Sequence, residues 1–122
     1  MIDRISPASL QKIIAGKMSE PGPCVIKFYS NNCHYCISLK DRFHKIASRH
    51  PDINFFAFNI QDHPNLDSII KLNGVPSIVF VKNECCKHDP VNRISILEDP
   101  KEPHEVTWYY PGDIIEFIES NK

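Results

Sequence analysis

The sequence contains no apolar run long enough to cross a membrane, and its opening Met1-Ile2-Asp3-Arg4-Ile5-Ser6-Pro7 holds nothing like the apolar core of a secretory leader. It also carries almost no net charge, −1 over 122 residues. That balance excludes a general nucleic-acid surface or an electrostatic membrane anchor, so neither partner is expected. The basic cluster Lys40, Arg42, His44, Lys45, Arg49 and His50 reads instead as the solvated side and C-terminal end of a helix. No repeat or low-complexity stretch is present, and the length leaves room for one core, so residues 1–122 are expected to form a single domain. Five cysteines, two of them adjacent at Cys85 and Cys86, make a poor staple framework. A reducing, intracellular (cytoplasmic) setting is the expectation.

The apolar residues that are there sort into elements. Ser6 followed by Pro7 reads as a helix cap and first-turn proline, and Leu10, Ile13, Ile14 and Met18 share one face until Pro21-Gly22-Pro23 stops the helix. Cys24 to Tyr29 is short and mostly apolar, as suits a central strand buried on both faces, with Lys27 the odd member. From Cys33 to Arg49 the residues Cys36, Leu39, Phe43, Ile46 and Ala47 recur at helical spacing, and Pro51 closes the segment. Ile53 to Phe58 is a second strand. Asp62 and Pro64 are expected to open a helix with Leu66, Ile69 and Ile70 inward and Asn73-Gly74 as its exit. A third strand spans Pro76 to Val81. Residues 84–104 are polar and proline-containing, and read as an insertion with a short strand at Arg93–Leu97. Glu105 to Tyr110 is expected as the last strand, and Pro111-Gly112-Asp113 as the start of a final helix. This order calls for a mixed sheet of four to five strands with helices on both faces, an α/β fold.

Cys33-His34-Tyr35-Cys36 follows a strand and opens a helix, and that placement carries the chemistry. Two intervening residues on a first helical turn bring the sulfurs within bonding reach. Cys33 sits where unpaired N–H groups and the positive dipole end favour a thiolate, the attacking species in disulfide exchange. Cys36, one turn deeper, is the resolving thiol.

The chain resembles the thioredoxin family over most of its length: the leading helix, the strand before Cys33, the Cys-x-x-Cys, Asn59-Ile60, Gly74-Val75-Pro76 entering a strand, and the terminal amphipathic helix. The resemblance implies a thioredoxin fold with a cis Pro76 facing the dithiol. It also implies that the Val75 backbone pairs with extended substrate. The implied activity is a protein disulfide oxidoreductase with no cofactor beyond its own disulfide. Its substrates are protein disulfides and dithiols, and a thioredoxin reductase or glutathione system supplies the electrons.

Four features depart from the family pattern. Asn32 stands where a tryptophan usually precedes the first cysteine, and His34-Tyr35 replaces Gly-Pro. Lys27 falls where the family carries a buried aspartate, and Ala57 where it has a lysine. Residues 84–104 have no counterpart in compact members. His34 adds a donor and, when protonated, a positive charge beside Cys33, which implies a more oxidising disulfide. Lys27 either lowers the thiol pKa values from near Cys36 or snorkels to solvent at the sheet end. Among Trp108, Tyr109 and Tyr110 some rings belong to the core and one lines the substrate groove in place of the missing tryptophan. Tyr109 is the candidate. Cys24 reads as a buried, inert hydrophobe. Cys85 and Cys86 with His88 and His104 match no standard zinc spacing and read as exposed or regulatory thiols. Two other readings stay open: a binding module whose insertion docks a partner, and a metal or iron–sulfur cluster on Cys33 and Cys36.

Overall fold

The computed structural model describes residues 2–17, 22–84 and 91–122, with side chains left out at 83, 84, 91 and 92. Five strands form one sheet in the order β1-β3-β2-β4-β5: β1 Asp3–Arg4, β2 Cys24–Tyr29, β3 Asn54–Asn59, β4 Ser77–Glu84 and β5 Val91–Ile96. β1, β3 and β2 run parallel; β4 and β5 are antiparallel additions. Among the described residues three α-helices cover the sheet, α1 Pro7–Ile14, α2 His34–Ser48 and α3 Pro111–Asn121.

Alternation along the strands decides which layer each side chain joins. Val25 of β2, Phe55 of β3, and Ile78 and Phe80 of β4 pack with Leu39, Phe43, Ile114 and Ile118 from α2 and α3. Their neighbours Ile26, Phe28, Phe58, Val79 and Val81 pack with Leu10 and Ile13 from α1 on the opposite face. Lys27 is flanked by Ile26 and Phe28, so it points into the α2 layer, where its ammonium lies 5.2 Å from the Phe43 ring centroid. β2 is central and buried on both faces, as its mostly apolar run leads one to expect, with Lys27 the one charged member.

The helix ends follow local chemistry. The Ser6 hydroxyl accepts the Ser9 N–H at 3.1 Å, with Pro7 in the first turn. α1 stops at Ile14, before the proline-glycine signal, because Gly16 already takes a left-handed φ of 73°. Met18 and Pro21 lie outside the described residues.

Three expectations need correction. The helix after Asp62 is only two 3-10 turns, Ile60–Asp62 and Leu66–Ser68, separated by Pro64. His63 is extended, as a residue before proline prefers, and Pro64 offers no amide to continue a ladder. Asp62 caps nothing there; it holds Arg4 in a two-oxygen pair. The segment at 84–104 is not simply an insertion, since Val91–Ile96 is the edge strand β5, paired with β4 over six residues. That placement extends the strand expected at Arg93–Leu97 toward the N-terminus. Glu105–Tyr110, in turn, is not a strand. His104 and Trp108 exchange backbone hydrogen bonds at 3.0 and 3.1 Å, and His104 Nδ1 accepts the Val106 N–H, folding the segment into a tight loop. β5 takes the place beside β4 that this β-prone stretch was expected to fill.

Candidate active site at the α2 N-terminus

β2 ends at Tyr29, and residues 30–32 carry the chain to Cys33, the N-cap of α2. Cys33 has extended backbone (φ −94°, ψ 104°) while its sulfur accepts the Cys36 N–H at 3.1 Å. A cysteine therefore fills the role usually taken by Ser or Asp, and one orphan helix donor points at its Sγ. Cys33 and Cys36 form a disulfide across Cα atoms 5.2 Å apart. Cys33 is half-buried and Cys36 is 3% exposed, so an incoming disulfide meets Cys33 first.

The turn before Cys33 is clamped by residues whose role the sequence reading missed. Asn59 is fully buried at the end of β3, and its Nδ2 donates to Asn31 Oδ1 at 2.8 Å. Gln61 Oε1 accepts the Asn31 N–H at 3.2 Å. The available signal was a wholly polar side chain ending an apolar strand beside the site.

The structure distributes the other site candidates unevenly. His34 is exposed and its ring lies 4.1 Å from that of Tyr35, centroid to centroid. Tyr35 in turn lies 5.5 Å from Trp108, which holds a left-handed φ of 65° and donates from Nε1 to Asp99 Oδ1 at 3.4 Å. Asn32 is exposed next to Cys33. Val75 is half-buried and Pro76 buried, and the bond between them is cis. Ser77 pairs with Phe28 across the antiparallel β2–β4 ladder, which brings the start of β4 to the sheet end from which Cys33 projects. Tyr109 does not belong to a substrate groove. It is 2% exposed and packs in the core with Ile114, Ile118 and Phe80. In this tight loop Thr107 and Tyr109 are buried, Trp108 is half-buried and Tyr110 exposed, and Trp108 is the ring that reaches the dithiol segment.

Lys27 is 5% exposed and shares the wall of one cavity with Cys36. It stands opposite Ala57 on β3 and Ile78 on β4. No carboxylate pairs with it among the described residues; its ammonium faces the rings of Tyr29 and Phe43. Burial, and then the charge of Lys40, push the Lys27 pKa down to about 8. Solvation of its head at the sheet end is therefore incomplete, and of the two expected placements the one near Cys36 fits the shared cavity. Cys24, fully buried under α1, has its thiol pushed up to about 12 by burial alone.

Cys85, Cys86 and His88 lie outside the described residues. Among the described residues no group of three or more metal-ligating side chains converges, and no helix is long and apolar enough to cross a membrane. His104 Nδ1 already accepts the amides of Val106 and Thr107.

Solved structures similar to this chain are thioredoxins, at identities that speak to fold alone. Trichomonas vaginalis thioredoxin aligns over 99% of this chain and 97% of its own, with 20% identity and a TM-score of 0.68. Mitochondrial thioredoxin 3 of Saccharomyces cerevisiae, in its oxidised form, aligns over 98% and 94% with 15% identity and a TM-score of 0.68. Chloroplastic thioredoxin z gives 98% and 92%, 17% identity and a TM-score of 0.64. No curated protein matches the chain. The thioredoxin family model matches residues 4–95, from the second residue of β1 to the next-to-last of β5 and across the dithiol. On that match, the chain belongs to the thioredoxin family.

Proposed function

We propose that this protein exchanges its Cys33–Cys36 disulfide with protein disulfides and dithiols. The observation that carries the reading is the Cys33 sulfur at the helix cap, accepting the Cys36 amide while bonded to the Cys36 sulfur. In the reducing direction, Cys33 thiolate attacks a substrate sulfur and the substrate's other sulfur leaves as thiolate. The Cys36 thiol then loses its proton and attacks the Cys33 sulfur. The second substrate thiolate leaves, and two electrons have passed from the dithiol to the substrate. Helix N–H groups at Cys33 lower the cost of its thiolate, and Lys27 in the shared cavity favours charge on Cys36. Trp108 and Tyr35 offer an aromatic surface beside the pair, and the Val75 backbone an edge for extended substrate. A thioredoxin reductase or a glutathione system in a reducing compartment returns the electrons; no metal or organic cofactor enters the reaction.

Insulin reduction with dithiothreitol as electron source tests the proposal. Wild type is expected to accelerate precipitation of the reduced chains, and Cys33→Ser to fall to the uncatalysed rate. Equal rates for the two proteins refute the exchange reading and leave a module that only binds.

A further inference from the structure

Behind Cys36, between α2 and the β1–β3–β2 edge of the sheet, lies a cavity of about 330 Å³ with an unusual balance of charge. Arg4, Lys27, Lys40 and His44 line it, and among the described residues no acidic one does. Arg4 is matched from outside by Asp62 at 2.6 Å. Lys27, Lys40 and His44 have no salt bridge among the described residues.

These three groups oppose one another. Burial and then the Lys40 charge depress the Lys27 pKa, and burial, then the charges of Lys27 and Lys40, depress that of His44. Asp41, the next residue along α2, acts the other way on His44, and its effect is the smallest of those at work there. Lys27 is the telling member because it is 5% exposed. A buried ammonium is rarely kept without a counter-charge, and ring faces compensate only a part of its lost hydration.

We propose that this cavity binds a small free oxyanion, a phosphate or the carboxylate of a small organic acid, with Lys27 as its buried ligand and Lys40 at its mouth. The volume exceeds what a single ion fills and suits a small molecule. Lys27 is 5% exposed, which favours a small free ligand over an acidic side chain on a folded partner. Because the site is defined by cations rather than by sulfur chemistry, it does not depend on the exchange activity.

Thermal unfolding of the oxidised protein tests the proposal. Inorganic phosphate and sodium acetate are titrated separately at pH 7, with ionic strength held constant by chloride. A saturable rise in Tm with phosphate identifies a phosphate site, and one with acetate a carboxylate site. Lys27→Met is expected to shift the half-saturating concentration upward about tenfold or more. Lys40→Gln, at an exposed position that does not risk the fold, is expected to shift it in the same direction. A Tm response that chloride reproduces overturns the proposal, as does one that survives unchanged in Lys40→Gln.

Discussion

Lys27→Met should make this protein more stable at neutral pH, and the gain should vanish in alkali. The Lys27 ammonium titrates at about 8 in the folded chain, against an ordinary value of 10.5. That gap of about 2.5 pH units, at about 1.36 kcal/mol each, is worth about 3 kcal/mol. The sign follows from proton counting. Below pH 8 both folded and unfolded chains hold the proton, and the folded state bears the full cost of the buried charge. Between pH 8 and 10.5 the unfolded chain holds more protons than the folded one, so stability rises with pH until the cost is gone. Two other groups act oppositely over part of this range. Burial raises the Cys24 thiol from 9.0 to about 12 and the Tyr109 hydroxyl from 10.0 to about 12, so each withdraws stability as pH climbs above its unfolded value. Both are common to wild type and variant and cancel in the difference. Urea unfolding of the two oxidised proteins in phosphate-free buffer from pH 6.5 to 10.5 supplies that difference. Lys27→Met should lead by about 1–3 kcal/mol at pH 7, the lower figure allowing for water that enters the cavity. A lead that is flat across the range, or a variant less stable than wild type at pH 7, refutes the placement of a charged Lys27 in this layer.

Three further outcomes follow from the same geometry. The Cys33–Cys36 couple should have a reduction potential above about −270 mV, because His34 and Lys27 both favour the reduced, thiolate-bearing state; equilibration against glutathione measures it, and a value at or below that reference contradicts the argument. Native reduced protein treated with iodoacetamide at pH 8 should be modified at Cys33 well before Cys24, whose thiol is buried and raised to about 12; comparable labelling of Cys24 in native and denatured protein, read by mass spectrometry, would falsify its burial. Tyr109→Ala should cost about 3–5 kcal/mol of stability in urea as a core deletion, whereas a loss of substrate affinity with stability intact would restore the groove role that its burial removes.

How far the chain could be read in advance depended on whether local signals had competitors. Cys24–Tyr29 was bounded correctly because a short apolar run, interrupted by Lys27 alone, lies between Pro23 and the polar Ser30-Asn31-Asn32, and α2 because its apolar spacing and the cysteine pair agree. The Ser6-Pro7 cap was equally direct. β1 went unseen because two residues carry no periodicity, and their pairing with β3 is a long-range fact. Glu105–Tyr110 misled because β propensity describes side chains that fit a pleated surface without saying whether an edge is free to receive them. Which ring of that segment reaches the dithiol depended on the tight loop at His104–Trp108, which buries Tyr109 and turns Trp108 toward Tyr35. Leu66, Ile69 and Ile70 pack inward as expected, yet Pro64 keeps them from forming a full helix. Lys27 was recognisable as anomalous in a buried strand. Its lack of a carboxylate partner among the described residues, and the cations gathered around it, required the packing of α2 against β2.

Trapping of a mixed disulfide tests the assignment of the two sulfurs most directly. Cys36→Ser, reduced and then offered a protein disulfide, should accumulate a covalent adduct joined through Cys33, visible by non-reducing mass spectrometry and released by dithiothreitol. Cys33→Ser under the same conditions should give none. An adduct that forms through Cys36 in Cys33→Ser at the same rate, or no adduct from either variant, contradicts an attacking sulfur at the cap of α2.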